Sequence, residues 1–312
     1  MTRTAAGLLD GATGWLAEHL EWFSPQRWAR FLPRRPFPPG PALELLGLCR
    51  CLRRGPAAAG TAALGETALD LGAELVDADA FRDGLYRCDH LFTYHLYLLA
   101  LVHSGGRRRP DLLAAAGRLL DATAGVRAGA LRSTQELVEL RYVLDVAELA
   151  ATLPAMDTLV ARSALATGLP PAPLTDNEVY ALTHLVFYAT DFADRRTAAV
   201  APDTTGVVRA LTGVYAAVGD LDLTGELLLC ADALGLNPDG TVPERVIAQG
   251  WRTLLAGQRS DGSVPSPLFD PVVDARLTGE QRIAYRFGTS YHTTIVAAMA
   301  ATAREGRRAR PA

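Results

Sequence analysis

Segments of this chain alternate between two kinds of helix, and that alternation limits the fold more than any single motif does. Apolar residues recur at three- and four-residue spacing, broken by Gly, Pro, Asp and Asn clusters, and strand signals are scarce. The pattern predicts twelve helices, over 8–22, 42–53, 59–76, 88–103, 110–124, 134–150, 154–166, 177–190, 205–218, 224–235, 243–258 and 289–303. Odd-numbered members are amphipathic: from Pro110-Asp111-Leu112-Leu113 onward, Arg118 and Asp121 are available for an outer face. Even-numbered members, such as Leu91 to Val102 and Val179 to Ala189, are apolar nearly all round and must be surrounded by protein. Their starts recur at roughly 43 to 47 residues until a longer last interval, the period of stacked helix pairs. An open stack needs polar end caps, whereas a closed ring puts one set of helices inside and the other outside. The expected fold is therefore all-α, an α6/α6 toroid of about six helix hairpins, in a single domain spanning residues 1–312.

Three stretches stand outside the hairpins. Residues 23–41 are rich in Pro and Arg and read as an extended crossover, residues 259–288 as a long loop, and residues 304–312 as a frayed tail. The net charge of −3 supplies no basic field for nucleic acid. No uncharged stretch reaches the roughly 18 residues of a membrane span. No secretory leader is recognised at the start, so the four cysteines (Cys49, Cys51, Cys88 and Cys230) are expected as thiols in a cytoplasm. All 31 basic residues are Arg, which reads as the coding bias of a GC-rich genome such as an actinomycete's.

The segment from Gly250 through Trp251, Gln258, Asp261 and Gly262 to Val264 resembles the Gln-Trp repeat of terpenoid cyclases and the Gln-x-x-Asp-Gly turn of protein prenyltransferase beta subunits. Gly250, Gln258 and Gly262 keep the spacing, while Val264 stands where the repeat closes on Trp. Ser290-Tyr291-His292-Thr293-Thr294 is similar to the final inner helix of the beta subunits. The resemblance implies a toroid, an outer helix ended by Gln258 and tied by it to the next hairpin, and a zinc ligand at His292. It also implies an Asp and a Cys from the fifth inner helix. Cys230 fits that part, but the family's Asp position holds Leu228; Glu226, one turn before Cys230, or Asp232, two residues after it, could substitute, though neither matches the motif. The Asp-x-Asp-Asp acid motif of proton-initiated cyclases is absent. Asp77-Ala78-Asp79 and Asp220-Leu221-Asp222 are fragments expected in loops, and Asp203 is expected to cap an outer helix.

In a toroid the inner helices run the same way, so their positive ends meet at one mouth. Polar residues of the inner helices gather there. His90, Tyr94 and Tyr97 share one face of the second, with Asp89 beside them, and Tyr180, His184, Tyr188 and Asp191 share one face of the fourth. The expected catalytic set is Glu178, His184, His90, Tyr94, Asp89 and Glu139, groups suited to acid–base work or cation stabilisation. Tyr97, Tyr180, Tyr188, Glu136 and Tyr291 are expected to contact substrate, and Cys230, Glu226 and His292 to hold a metal, zinc by the resemblance. The expected activity is cyclisation or transfer of a largely apolar small molecule or peptide in a central cavity. The alternatives are a zinc-dependent transferase or hydrolase, and a non-catalytic module that binds a peptide or partner.

Overall fold

The structure is a computed structural model that describes residues 4–55, 60–122, 132–150, 152–169, 173–197, 200–236 and 245–309. These residues are helical and contain no strand. In chain order the helices are α1 (Ala5–Glu18), α2 (Pro25–Phe31), α3 (Gly40–Arg54), α4 (Thr61–Asp77), α5 (Asp79–Arg87), α6 (Phe92–Ser104), α7 (Pro110–Ala122), α8 (Thr134–Val146), α9 (Met156–Val160), α10 (Ala164–Thr167), α11 (Asp176–Thr190), α12 (Pro202–Val218), α13 (Leu221–Ala233), α14 (Arg245–Gly257), α15 (Pro271–Arg276), α16 (Gly279–Gly288) and α17 (Tyr291–Ala309). No described helix is long and apolar enough to cross a membrane.

Local chemistry sets the helix starts. Ser133 with Glu136 and Thr175 with Glu178 form capping boxes at α8 and α11. At α13 the Asp220 carboxylate accepts from the backbone N–H of Asp222 and of Leu223, both at 3.0 Å.

Six helices pack in a closed order. α3 lies on α6, α6 on α8, α8 on α11, α11 on α13, α13 on α17, and α17 returns to α3. These are the segments expected to be apolar all round, and α13 is buried at every one of its residues from Leu221 to Ala233. Amphipathic helices flank them: α1 against α17, α4 against α3 and α6, α7 against α6, α9 against α8, α10 against α11, and α12 and α14 against α13.

Between the last and first amphipathic helices, one side chain makes the join. Gln258 Nε2 donates to Leu8 O of α1 over 2.9 Å and to Gly262 O over 3.0 Å, and the side chain is buried. Gly262 is left-handed (φ 94°), and a Cβ there would meet Gly11 O of α1 at 2.1 Å. No other residue fits so close to a backbone.

The connections depart from expectation. Residues 23–41 contain α2, and residues 259–288 contain α15 and α16, because short Pro- and Asp-started turns pack an aromatic seam. In that seam Phe287 meets Trp22, Phe23, Trp28 and Tyr291 with centroids 5.0–6.2 Å apart. Residues 304–309 continue α17 rather than fraying, and 310–312 lie outside the described residues. The segment expected as one helix over 154–166 divides into α9 and α10. Asp203 falls in the first turn of α12, whose cap position is Ala201.

Gln258→Ala removes both hydrogen bonds of the join and should lower stability by about 1–3 kcal/mol. Gly262→Ala should cost more, since backbone must move. Urea midpoints of both variants against the parent check this, with unchanged m-values marking a pure stability effect.

Candidate metal centre

Burying a helix on every side leaves its polar residues no route to bulk water, so each carboxylate on α13 needs an internal partner. Asp222 and Glu226 stand one turn apart on α13, hence on one face, and both are buried. α17 brings His292 to them from its first turn. One ligand atom from each of Asp222, Glu226 and His292 can be chosen so that all lie within 4.8 Å of one another. His292 Nε2 lies 3.6 Å from Glu226 Oε1 and 3.8 Å from Asp222 Oδ2.

Each of the three is held by a further group. His292 Nδ1 donates to Glu44 Oε2 of α3 at 2.8 Å, which fixes the tautomer and leaves Nε2 facing the carboxylates. Thr293 Oγ1 donates to Asp222 Oδ1 and Tyr180 OH to Asp222 Oδ2, each at 2.7 Å. Thr183 Oγ1 donates to Glu226 Oε2 in a short hydrogen bond. His184 approaches Glu226 Oε1 with its Nε2 at 3.8 Å. Beyond Glu44, Tyr291 OH donates to it at 3.3 Å, and Arg35 donates to that phenol at 2.5 Å while stacking on Trp28 and Tyr291.

The charges are set by this packing. Burial opposes ionisation of Glu226, but its interactions with His184 and His292 outweigh that and pull it down to about 2. Burial likewise opposes the His292 cation, and Glu44, Asp222 and Glu226 reverse it, raising His292 well above an ordinary histidine. His184 is raised too, since Glu226 outweighs its burial. Without a metal, the two histidines carry the charge that balances the acids.

The centre reaches solvent through its two histidines. His184 and His292 keep 43% and 38% of their side-chain surface accessible although their helices are packed on several sides. On α6, Tyr94 is 41% exposed while every other residue from Phe92 to Val102 is buried. Glu139 of α8 accepts from Tyr188 OH at 3.3 Å, and Tyr188 packs on Tyr142, which meets Tyr97 OH to OH at 3.3 Å. Burial raises Glu139.

Sequence reasoning placed Glu226, His292, His184, Tyr180 and Tyr291 in this neighbourhood, with Glu139, Tyr94, Tyr97 and Tyr188 along its wall. Other expected residues lie elsewhere or are otherwise engaged. Glu178 and Glu136 are exposed and committed to their capping boxes. Cys88 ends α5 in the left-handed region, Asp89 caps the following turn through Leu91 N, and α6 starts only at Phe92, so exposed His90 is off the stripe of Tyr94 and Tyr97. Cys230 is not in the converging group. Its thiol is buried against Thr183 O at 3.8 Å, and burial raises it far above an ordinary thiol. Asp191 is at the other end of α11, paired with Arg50 and Arg54.

Asp222, Glu44, Thr183 and Thr293 were missed. Asp222 is not in a loop: Asp220 is the cap, so α13 begins at Leu221. An Asp two residues after a capping Asp was the available signal. Glu44, within Leu43-Glu44-Leu45-Leu46, offered only a lone acid inside an apolar run.

Over residues 9–302 the chain matches the family described as Domain of unknown function (DUF6895), and it belongs to that family. No curated protein and no solved structure matches it.

A histidine raised on folding adds stability that is full below its unfolded value, near 6.5, and fades as pH climbs through its folded value. The metal-free protein should therefore lose stability from about pH 6.5 upward. Urea midpoints in chelator across that range check this, and His292→Asn should flatten the loss.

Proposed function

We propose that this chain is a divalent-metal-dependent enzyme, a transferase or hydrolase built as an α6/α6 toroid, with Asp222, Glu226 and His292 as the metal ligands. One observation carries the metal assignment: the convergence of these three side chains on two packed central helices, with each held by a neighbour. The closed packing order of α3, α6, α8, α11, α13 and α17, and the Gln258 join between α14 and α1, support the toroid.

The donor set suits the ion. Two carboxylate oxygens and one imidazole nitrogen match zinc or another first-row divalent ion, and three protein ligands leave a position for substrate or water. A bound ion would supply Lewis acidity toward a substrate oxygen. Around it the chain's own residues divide the work. Glu44 orients His292, Thr293 and Tyr180 orient Asp222, and Thr183 orients Glu226. His184, partly exposed and beside Glu226, is placed to give or take a proton at Nε2. Prenyl diphosphates are poor candidates as substrates. Among the described residues, the arginine that touches this network is Arg35, through Tyr291, and it is stacked on Trp28 and Tyr291.

The tyrosine wall favours a second reading: a cyclase that stabilises cationic intermediates of an apolar substrate, with Glu139 and His184 as proton carriers. Turnover that survives complete chelation would select it.

Purified protein should bind about one equivalent of zinc or manganese, and Asp222→Asn and Glu226→Gln should abolish binding, as read by titration calorimetry and elemental analysis. Glu44→Gln should weaken affinity by about 10–100-fold. Because the ion displaces the His292 proton, affinity should rise from about pH 6 to 8. Less than about a tenth of an equivalent would overturn the assignment.

A further inference from the structure

We propose that the cavity between the C-terminal halves of α3, α13 and α17 and the turn after α11 is a second ligand site, which takes a small carboxylate with an apolar body. It lies at the opposite ends of these helices from Asp222, Glu226 and His292, and it depends on no metal.

The space itself comes first. Its volume is about 530 Å³, inside the range of roughly 300–1,000 Å³ in which small-molecule sites fall. Its apolar lining is drawn from all four elements: Cys51 of α3, Phe192 and Ala193 of the turn, Ala233 of α13, and Met299 and Ala303 of α17. Phe192 is seated there by stacking on Phe187 at 5.3 Å and by packing on Tyr142 at 5.9 Å. The turn that brings it adopts left-handed backbone at Phe192 (φ 54°) and Ala193 (φ 69°), a conformation that non-glycine residues seldom hold outside sites where it serves a purpose.

The charged lining is unequal. Arg54, Arg196 and Arg307 face the cavity, against Asp194 and Asp232. Arg54 is bound to Asp191 at 2.7 Å and to Asp194 at 3.1 Å, and Arg307 to Asp232 at 3.2 Å. Asp191 has Arg50 as its second partner, so that pair adds no charge. Arg196 is the guanidinium left over: no carboxylate of the described residues lies within 4 Å of it. It is set against the turn that follows α13, where Gly235 is left-handed (φ 78°) and a Cβ would meet Arg196 Nη1 at 3.1 Å. One unspent guanidinium at the edge of an apolar hollow selects an amphipathic anion. A carboxylate can take two parallel N–H···O bonds from Arg196 while its body covers Phe192 and Met299. Its single charge balances the lining. A phosphate monoester would bring a second charge against Asp194, Asp232 and the carbonyl ends of α3 and α13.

Hexanoate tests this against hexanamide, its neutral counterpart, and against hexyl phosphate, a dianion. Affinities are read by saturation-transfer NMR on full-length protein in chelator, so that no bound ion competes for the carboxylate. Hexanoate should bind at least about tenfold more tightly than hexanamide, and Arg196→Gln should remove that advantage. Arg196 is exposed and outside the ion pairs, so this variant should keep the parent's melting curve. Ala303→Leu, which fills the hollow without touching a charge, should weaken acid and amide alike several-fold. No hexanoate binding, equal affinity for acid and amide, or hexanoate affinity indifferent to both substitutions would sink the site. Tighter binding of hexyl phosphate than of hexanoate would overturn the assignment to a singly charged ligand. Zinc uptake is measured separately, so failure here leaves the metal reading standing, and failure of zinc uptake leaves this site standing.

Discussion

Everything around Asp222, Glu226 and His292 follows from α13 having no solvent-facing side. Two carboxylates on a fully buried helix would be costly without partners, and an unpartnered buried acid would protonate or unfold the segment. Here the partners come from different elements: Thr183 and Tyr180 from α11, Thr293 and His292 from α17, and Glu44 from α3 behind His292. The contacts that neutralise Asp222 and Glu226 are thus also contacts between neighbouring central helices. Loosening α3 or α11 frees an acid, and removing an acid unties two helices. Such coupling explains why a polar cluster can persist at the centre of an otherwise apolar packing, where replacement by aliphatic residues would often stabilise.

The alternation of helix types was legible because burial on all sides leaves a compositional mark that no tertiary detail is needed to see. Gln258 and Gly262 were legible only through the resemblance of their segment to a known repeat, which implied that the Gln ties two helices. The metal group was only partly legible. His292 and Glu226 stood out as polar residues in apolar helices, but Asp222 depended on whether the helix began at residue 221 or 224. An Asp-Leu-Asp run before an apolar stretch reads equally as loop acids or as a cap followed by a first-turn acid. Glu44 was invisible because nothing local pairs it with a histidine 248 residues away. Glu178 and Glu136 misled for the converse reason: an acid three residues after Ser or Thr is first of all capping chemistry, and each has its carboxylate oxygen committed to the cap. Cys230 carries the lesson that a thiol on the right helix is not a ligand when its surroundings hold the proton on.

Direction matters as much as membership. Glu44, Tyr180, Asp222, Glu226 and His292 come from the first two turns of α3, α11, α13 and α17, so these four helices present their positive ends to one pole. Ionised carboxylates are favoured there, and they in turn favour cations. At the opposite pole the same helices present carbonyl ends, and arginines collect: Arg50 and Arg54 on α3 and Arg307 on α17. A cavity of about 530 Å³ opens there beside Arg54, Arg307, Met299 and Phe192. Asp191 follows α11 in the left-handed region, as do Phe192 and Ala193, a run that non-glycine residues seldom adopt. Two guanidiniums clamp that aspartate at 2.7–3.2 Å, and Arg307 pairs with Asp232 at 3.2 Å. Arg50, Arg54 and Arg307 are therefore spent on Asp191, Asp194 and Asp232, holding the turn after α11 against the helix ends. A cavity alone would point to the arginine pole. The metal proposal rests instead on the other, where Glu44, Asp222 and Glu226 converge on His184 and His292.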